Sequence, residues 1–115
     1  WFSLGLAILV TWALKNLIMR MRPEFGLIAE TGFSFPSGHA TAVFSVFPLL
    51  REKFRNFSSY WLVFAILILF SRLYLNVHYL SDVIGGALVG LIVGSFVMSK
   101  YFKVIENRYF KFIRK

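Results

Sequence analysis

The chain has 115 residues, 58% of them hydrophobic and 19% aromatic, and a mean hydropathy of +0.70; a soluble globular domain is about 45 to 50% apolar, so this composition belongs to a membrane protein. The formal net charge is +8, but the cations lie at the ends of apolar runs rather than on a soluble basic face, which argues against nucleic acid as the partner and for positive-inside anchoring. There is no cysteine, which excludes disulfide frameworks and thiolate metal sites.

Four apolar stretches follow one another: Trp1 to Met19, Ala40 to Leu50, Tyr60 to about Leu75, and Val83 to Met98. They predict an all-α transmembrane bundle of about four spanning helices in a single domain. The opening run Trp1 to Leu14 is shorter than the roughly 20 apolar residues of a spanning helix, and it starts on Trp rather than Met, so the chain reads as a fragment that begins inside a helix. No cleavage site follows a short apolar core, so a removable signal peptide does not explain the bias. The first helix is expected to stop near Met21, because Pro23 disfavours the helical conformation at Arg22. Glu24 to Phe35, with two glycines and a following Pro36, reads as a loop. The second helix is expected from Ser37 as N-cap to Leu50, with Pro48 in its last turn, followed by the loop "REKFRN". The third runs from about Ser59 to the Asn76 region, and the fourth starts near Ser81 or Asp82. In the fourth, Gly86, Gly90 and Gly94 recur on one face, a small-residue pattern that lets another helix approach closely, within the bundle or between chains.

Orientation follows from charge. With alternating helices, Arg51, Lys53, Arg55, Lys100, Lys103, Arg108, Lys111, Arg114 and Lys115 fall on one side, nine of the 13 Lys and Arg. That side is expected to be cytoplasmic, with residues 100–115 as a basic tail. Lys15, Arg20, Arg22, the tetrad Pro36 to His39, Arg72, His78 and Asp82 fall on the other, extracytoplasmic side.

A Lys or Arg within a span costs about 2.5 to 3.5 kcal/mol on insertion scales and usually marks a partner or ligand. Lys15 and Arg22, seven apart, would share one helix face and aim at one anion, with interfacial snorkelling as the alternative. For Arg20, off that face, snorkelling is the favoured reading. Ser37 can cap the second helix, and Gly38 permits close approach to its first amides, which are free donors at the positive end of a helix dipole. An ordinary N-cap followed by an interfacial His39 is the plainer reading of that tetrad alone. His78 and Asp82, four apart, can pair at a tight helix start, and a carboxylate on one ring nitrogen fixes the tautomer and raises the basicity of the other. A structural hydrogen bond is the plainer account of such a pair. His39, His78 and Asp82 could also form a two-histidine, one-carboxylate metal site, but Lys15, Arg22 and Arg72 would repel a metal and attract an oxyanion. A transporter or anionic-lipid-binding protein would need the cations but not the two histidines.

"KNLIMRMRP" (Lys15 to Pro23), "PSGH" (Pro36 to His39) and "SRLYLNVHYLSD" (Ser71 to Asp82) resemble, in order, the three motifs of the type 2 phosphatidic acid phosphatase superfamily, which also holds the vanadium haloperoxidases and glucose-6-phosphatase. The resemblance implies a six-helix core of which this chain holds the last four helices. It implies that His78 attacks phosphorus to form a phosphohistidine, oriented by Asp82. His39 would protonate the leaving oxygen and later activate water, while Lys15, Arg22, Ser37, the Gly38 amide and Arg72 hold the phosphoryl oxygens. No metal or other cofactor is implied. The haloperoxidases are soluble, which leaves hydrolysis of a lipid phosphate as the expectation. Phosphatidic acid, phosphatidylglycerol phosphate and a polyprenyl diphosphate are the candidates, with a lean toward the last or toward a broad lipid phosphatase. The oligomeric state is not readable.

Overall fold

The computed structural model describes residues 1–113, in which four helices follow one another: α1 (Phe2–Ile18), α2 (Gly38–Lys53), α3 (Arg55–Tyr74) and α4 (Leu80–Ile113). Each apolar stretch is helical, and the boundaries differ from expectation for local reasons. α1 stops at Ile18, before the proline can act, because Met19 turns left-handed (φ 52) and its N–H closes the last turn on the Lys15 carbonyl. α2 runs through Pro48 to Lys53, with Arg51 and Lys53 in its last turn, where the helix dipole favours cations. The expected "REKFRN" loop contracts to Phe54, whose N–H bonds the Leu50 carbonyl before α3 begins.

The expected basic tail continues α4 as far as Ile113, since no Gly or Pro follows Gly94 to interrupt it. Arg114 and Lys115 lie outside the described residues. At 1.5 Å per residue the helix is about 51 Å long, well beyond a hydrocarbon core of roughly 30 Å. α3 and α4 are long and apolar enough to cross a membrane, while α1 has 17 residues and α2 has 16.

The bundle is apolar on the outside. Ile84, Leu88, Ile92 and Phe96 of α4, and Val63, Phe64, Leu67 and Phe70 of α3, are exposed, whereas Thr11, Ser37, Thr41, Ser45 and Ser58 are buried. A soluble fold could not leave so much contiguous apolar surface bare, but lipid solvates it. Association in lipid then rests on close backbone packing and hydrogen bonds rather than on burial of large side chains.

α2 is central and packs chiefly on α4. A Cβ at Gly86, Gly90 or Gly94 would fall within 2.5 Å of the carbonyl oxygen of Ser37, Thr41 or Ser45 in turn. The glycine face therefore packs inside the bundle, four residues on one helix against four on the other. Trp61 Nε1 donates to the Val43 carbonyl at 2.9 Å and Ser3 Oγ to the Ser45 carbonyl at 2.8 Å, fixing α3 and α1 on the same central helix. Lys53 reaches the Tyr101 hydroxyl at 3.1 Å at one end of the bundle. The C-termini of α1 and α3 meet the N-termini of α2 and α4 at the other.

Candidate active site

Two chain segments build this second end, residues 19–37 and 75–79, and backbone hydrogen bonds stitch them together. Leu27 N–H bonds the Leu75 carbonyl at 2.9 Å, and Asn76, left-handed at φ 52, sends its side-chain amide to the Phe25 carbonyl at 3.0 Å. Ser34 N–H bonds the Arg20 carbonyl at 2.8 Å. Ser37, the N-cap of α2, donates its own N–H to the main-chain carbonyl of Asp82 at 2.9 Å. Asp82 is the third residue of α4, and its Oδ2 reaches back to Tyr79 N–H at 2.8 Å, the acidic half of a capping box. That carboxylate is fully buried.

Each histidine faces an arginine. Arg22 Nη1 lies 3.3 Å from His78 Nε2, and Arg72 Nη1 lies 3.2 Å from His39 Nδ1. A guanidinium only donates, so both contacts require a lone pair on the facing imidazole nitrogen. His78 then carries its proton on Nδ1, which faces Asp82 Oδ2 at 3.6 Å. Burial first, and then the charges of Arg22 and Lys15, push the His78 imidazole down to about 4, against the pull of Asp82. It is a neutral ring at pH 7, with its free lone pair turned toward the cations.

The two arginines share a third partner. Glu30 accepts from Arg72 Nη1 at 3.0 Å through Oε1 and pairs with Arg22 Nη2 at 3.3 Å through Oε2. Arg22 is held further by the Gly32, Thr31 and Val77 carbonyls. Arg72 is buried, and its Nε has no partner. Lys15 donates to the Phe33 carbonyl and lines, with Gly38 and His39, a groove of about 400 Å³ between α1 and α2.

All eight candidates, Lys15, Arg22, Ser37, Gly38, His39, Arg72, His78 and Asp82, stand at this one end of the bundle. Three details differ from the sequence reading. Arg22 does not share a helix face with Lys15, because α1 ends at Ile18; the loop brings it to His78. Ser37 is the N-cap by position, but its hydroxyl makes no capping bond and is buried without a partner. Arg20 does not snorkel freely: its Nη1 meets Asp82 Oδ1 at 2.9 Å and its guanidinium lies 4.4 Å over the Tyr79 ring. Glu30 escaped the sequence reading altogether. It sits in an irregular loop with no periodicity, and only its pairing with two arginines, Arg22 of the same loop and Arg72 of α3, gives it meaning.

Fold and site together define a helical membrane protein with a cluster of cations, flanked by two imidazoles, at one end of its bundle. The family model of the PAP2 superfamily matches residues 1–106, and the chain belongs to that superfamily. Phosphatidylglycerophosphatase B of Bacillus subtilis is 39% identical over 97 residues, which are 74% of this chain and 48% of that protein. A putative undecaprenyl-diphosphatase of Escherichia coli is 32% identical over 100 residues, 78% of this chain and 49% of the relative. Lipid A 4'-phosphatase of Porphyromonas gingivalis is 39% identical over 71 residues, covering 60% of this chain and 30% of that one. The crystal structure of a transmembrane PAP2-type phosphatidylglycerolphosphate phosphatase from Bacillus subtilis matches 90% of this chain and 57% of its own, with a TM-score of 0.75 and 34% identity. The chain thus spans about half the length, or less, of the curated relatives it matches.

Proposed function

We propose that this protein hydrolyses a phosphate or diphosphate monoester carried by a lipid, through a phosphohistidine formed on His78, with the chain acting as one membrane-embedded phosphatase domain. The observation that carries the reading is the convergence of Arg22 and Arg72 on the single carboxylate of Glu30, with an imidazole lone pair against each guanidinium. Glu30 is an internal anion in that cradle. A phosphoryl group offers the same arginine forks more oxygens and more charge.

In this reading His78 Nε2 attacks phosphorus as the bond to the lipid oxygen breaks. His39, doubly protonated once the phosphate has taken Arg72, gives a proton to that leaving oxygen and returns to neutral. Water then attacks the phosphorus of the P–N bond and passes its proton to His39; inorganic phosphate leaves, and His78 is restored. Asp82 Oδ2, 3.6 Å from His78 Nδ1, balances the charge the ring gains when phosphorylated. Lys15, Arg22, Arg72, the Ser37 hydroxyl and the Gly38 amide take the charge on the phosphoryl oxygens. Every step is provided by these side chains, without a metal.

A lipid substrate is supported by the groove that opens beside Lys15 and His39, whose walls are Ile8, Thr11, Trp12 and Ala42. Phosphatidylglycerol phosphate and a polyprenyl diphosphate are the leading substrates, with phosphatidic acid as the third. The site end faces the extracytoplasmic side, since Arg51, Lys53, Arg55, Lys100 and Lys103 gather at the other end.

Phosphate release by the detergent-purified full-length protein, from each of the three lipids and with chelator present, tests the reading. Release from at least one lipid, lost in His78→Ala, is the expected result. Undiminished release from a folded His78→Ala protein would sink the phosphohistidine, and no release from any lipid would turn the cradle into a binding site.

A further inference from the structure

From the contacts of its guanidinium, we infer that Arg20 is a positioning residue, acting on His78 through Asp82; the inference rests on the phosphohistidine reading. Arg20 touches neither histidine ring. The left-handed turn at Met19 swings it out of α1, and its carbonyl is pinned by Ser34 N–H at 2.8 Å. Its side chain then spans the first turn of α4: one nitrogen meets both Ser81 Oγ and Asp82 Oδ1, and the guanidinium lies over the Tyr79 ring.

The need for such a residue follows from Asp82. Its carboxylate is fully buried, and a buried carboxylate without a compensating charge protonates or moves. Oδ2 has Tyr79 N–H, a neutral donor, and faces His78 Nδ1. Oδ1 has Arg20. Arg20 is therefore the cation that pairs with the buried carboxylate of Asp82 and holds its second oxygen toward the histidine. When His78 carries the phosphoryl group and gains positive charge, that carboxylate must be in place beside it. Arg22, on the other face of the ring, cannot substitute, because it meets Nε2 and not the carboxylate.

The side chain of Arg20 is 37% exposed, so small solutes reach the space it would vacate, and this gives the test a readout that a merely structural role would not move. In the full-length protein, Arg20→Ala should lower kcat on the order of 10- to 100-fold, as loss of a partner behind a reacting group typically does. KM should stay within about twofold, because no phosphate contact is lost. Millimolar guanidinium should restore part of kcat in Arg20→Ala and none in Asp82→Asn. Arg20→Lys, which keeps the charge but not the fork, should retain more turnover than Arg20→Ala, and it carries the test if the alanine variant does not fold. Wild-type kcat in a folded Arg20→Ala or Arg20→Lys, or a deficit that appears in KM alone, overturns the inference. Full activity in His78→Ala would instead overturn the phosphohistidine reading itself.

Discussion

His78 carries its lone pair on the side that Arg22 covers, and this sets how the residue answers to pH. Its folded value, about 4, lies below the 6.5 of a free histidine. Between those two values the unfolded chain binds a proton that the folded chain refuses, so the contribution of His78 to stability is intact above pH 6.5 and declines as pH falls toward 4. Arg22→Gln removes the second cause of the depression and leaves burial, the first. The His78 imidazole, followed by its nitrogen resonances, should then titrate above its present value and still below 6.5; an unmoved titration would mean that Arg22 is not the charge the ring feels. At this scale the sequence was readable where a residue sits in a local pattern. His78 and Asp82 are four apart, and Ser37 precedes a helical run. Arg20 and Glu30 were not readable, because Arg20 meets Asp82 62 residues away, and Glu30 meets Arg72 42 residues away and Arg22 across an irregular loop. Such pairings are decided by where the loop folds, and nothing in the local spacing records it.

The four helices were legible as elements because each apolar run ends in polar or charged residues. Their ends were less so. The left-handed φ of 52 at Met19 is uncommon for a non-glycine residue, and the junction between α2 and α3 is the single residue Phe54, so neither end follows from the residue types around it. The glycine repeat was legible as a packing face, but its partner was not, since the matching spacing on α2 consists of carbonyl groups at Ser37, Thr41 and Ser45 that any residue would carry. Gly90→Ala would place a methyl group against the Thr41 carbonyl and the Phe44 Cβ. The expected loss is about 1 to 3 kcal/mol of stability, the usual result of overpacking, read as a lower melting temperature in detergent. Leu88→Val on the lipid-facing side, 56% exposed, should change stability by less than about 0.5 kcal/mol. Equal melting of the two variants would mean that α2 and α4 are farther apart than described.

For the molecule as a whole, charge asymmetry between the two ends predicts its placement in the membrane. These 115 residues contain no cysteine, so a single introduced thiol in them can be placed at either end and labelled. Leu27→Cys, exposed at the site end, should react with an impermeant maleimide added outside intact cells, and Asn56→Cys, exposed at the basic end, should react only after lysis. The reverse pattern would put the site in the cytoplasm. The bond from Ser37 N–H to the Asp82 carbonyl bears on every such variant. It joins the two helices that carry the histidine segments, and both of its atoms belong to the main chain, so no side-chain replacement at His39, His78 or Asp82 deletes it. Part of the frame of the site therefore outlasts its chemistry: lesions at His39 and His78 leave this main-chain link in place, whereas a lesion at Asp82 also removes the cap on Tyr79 N–H and the partner of Arg20.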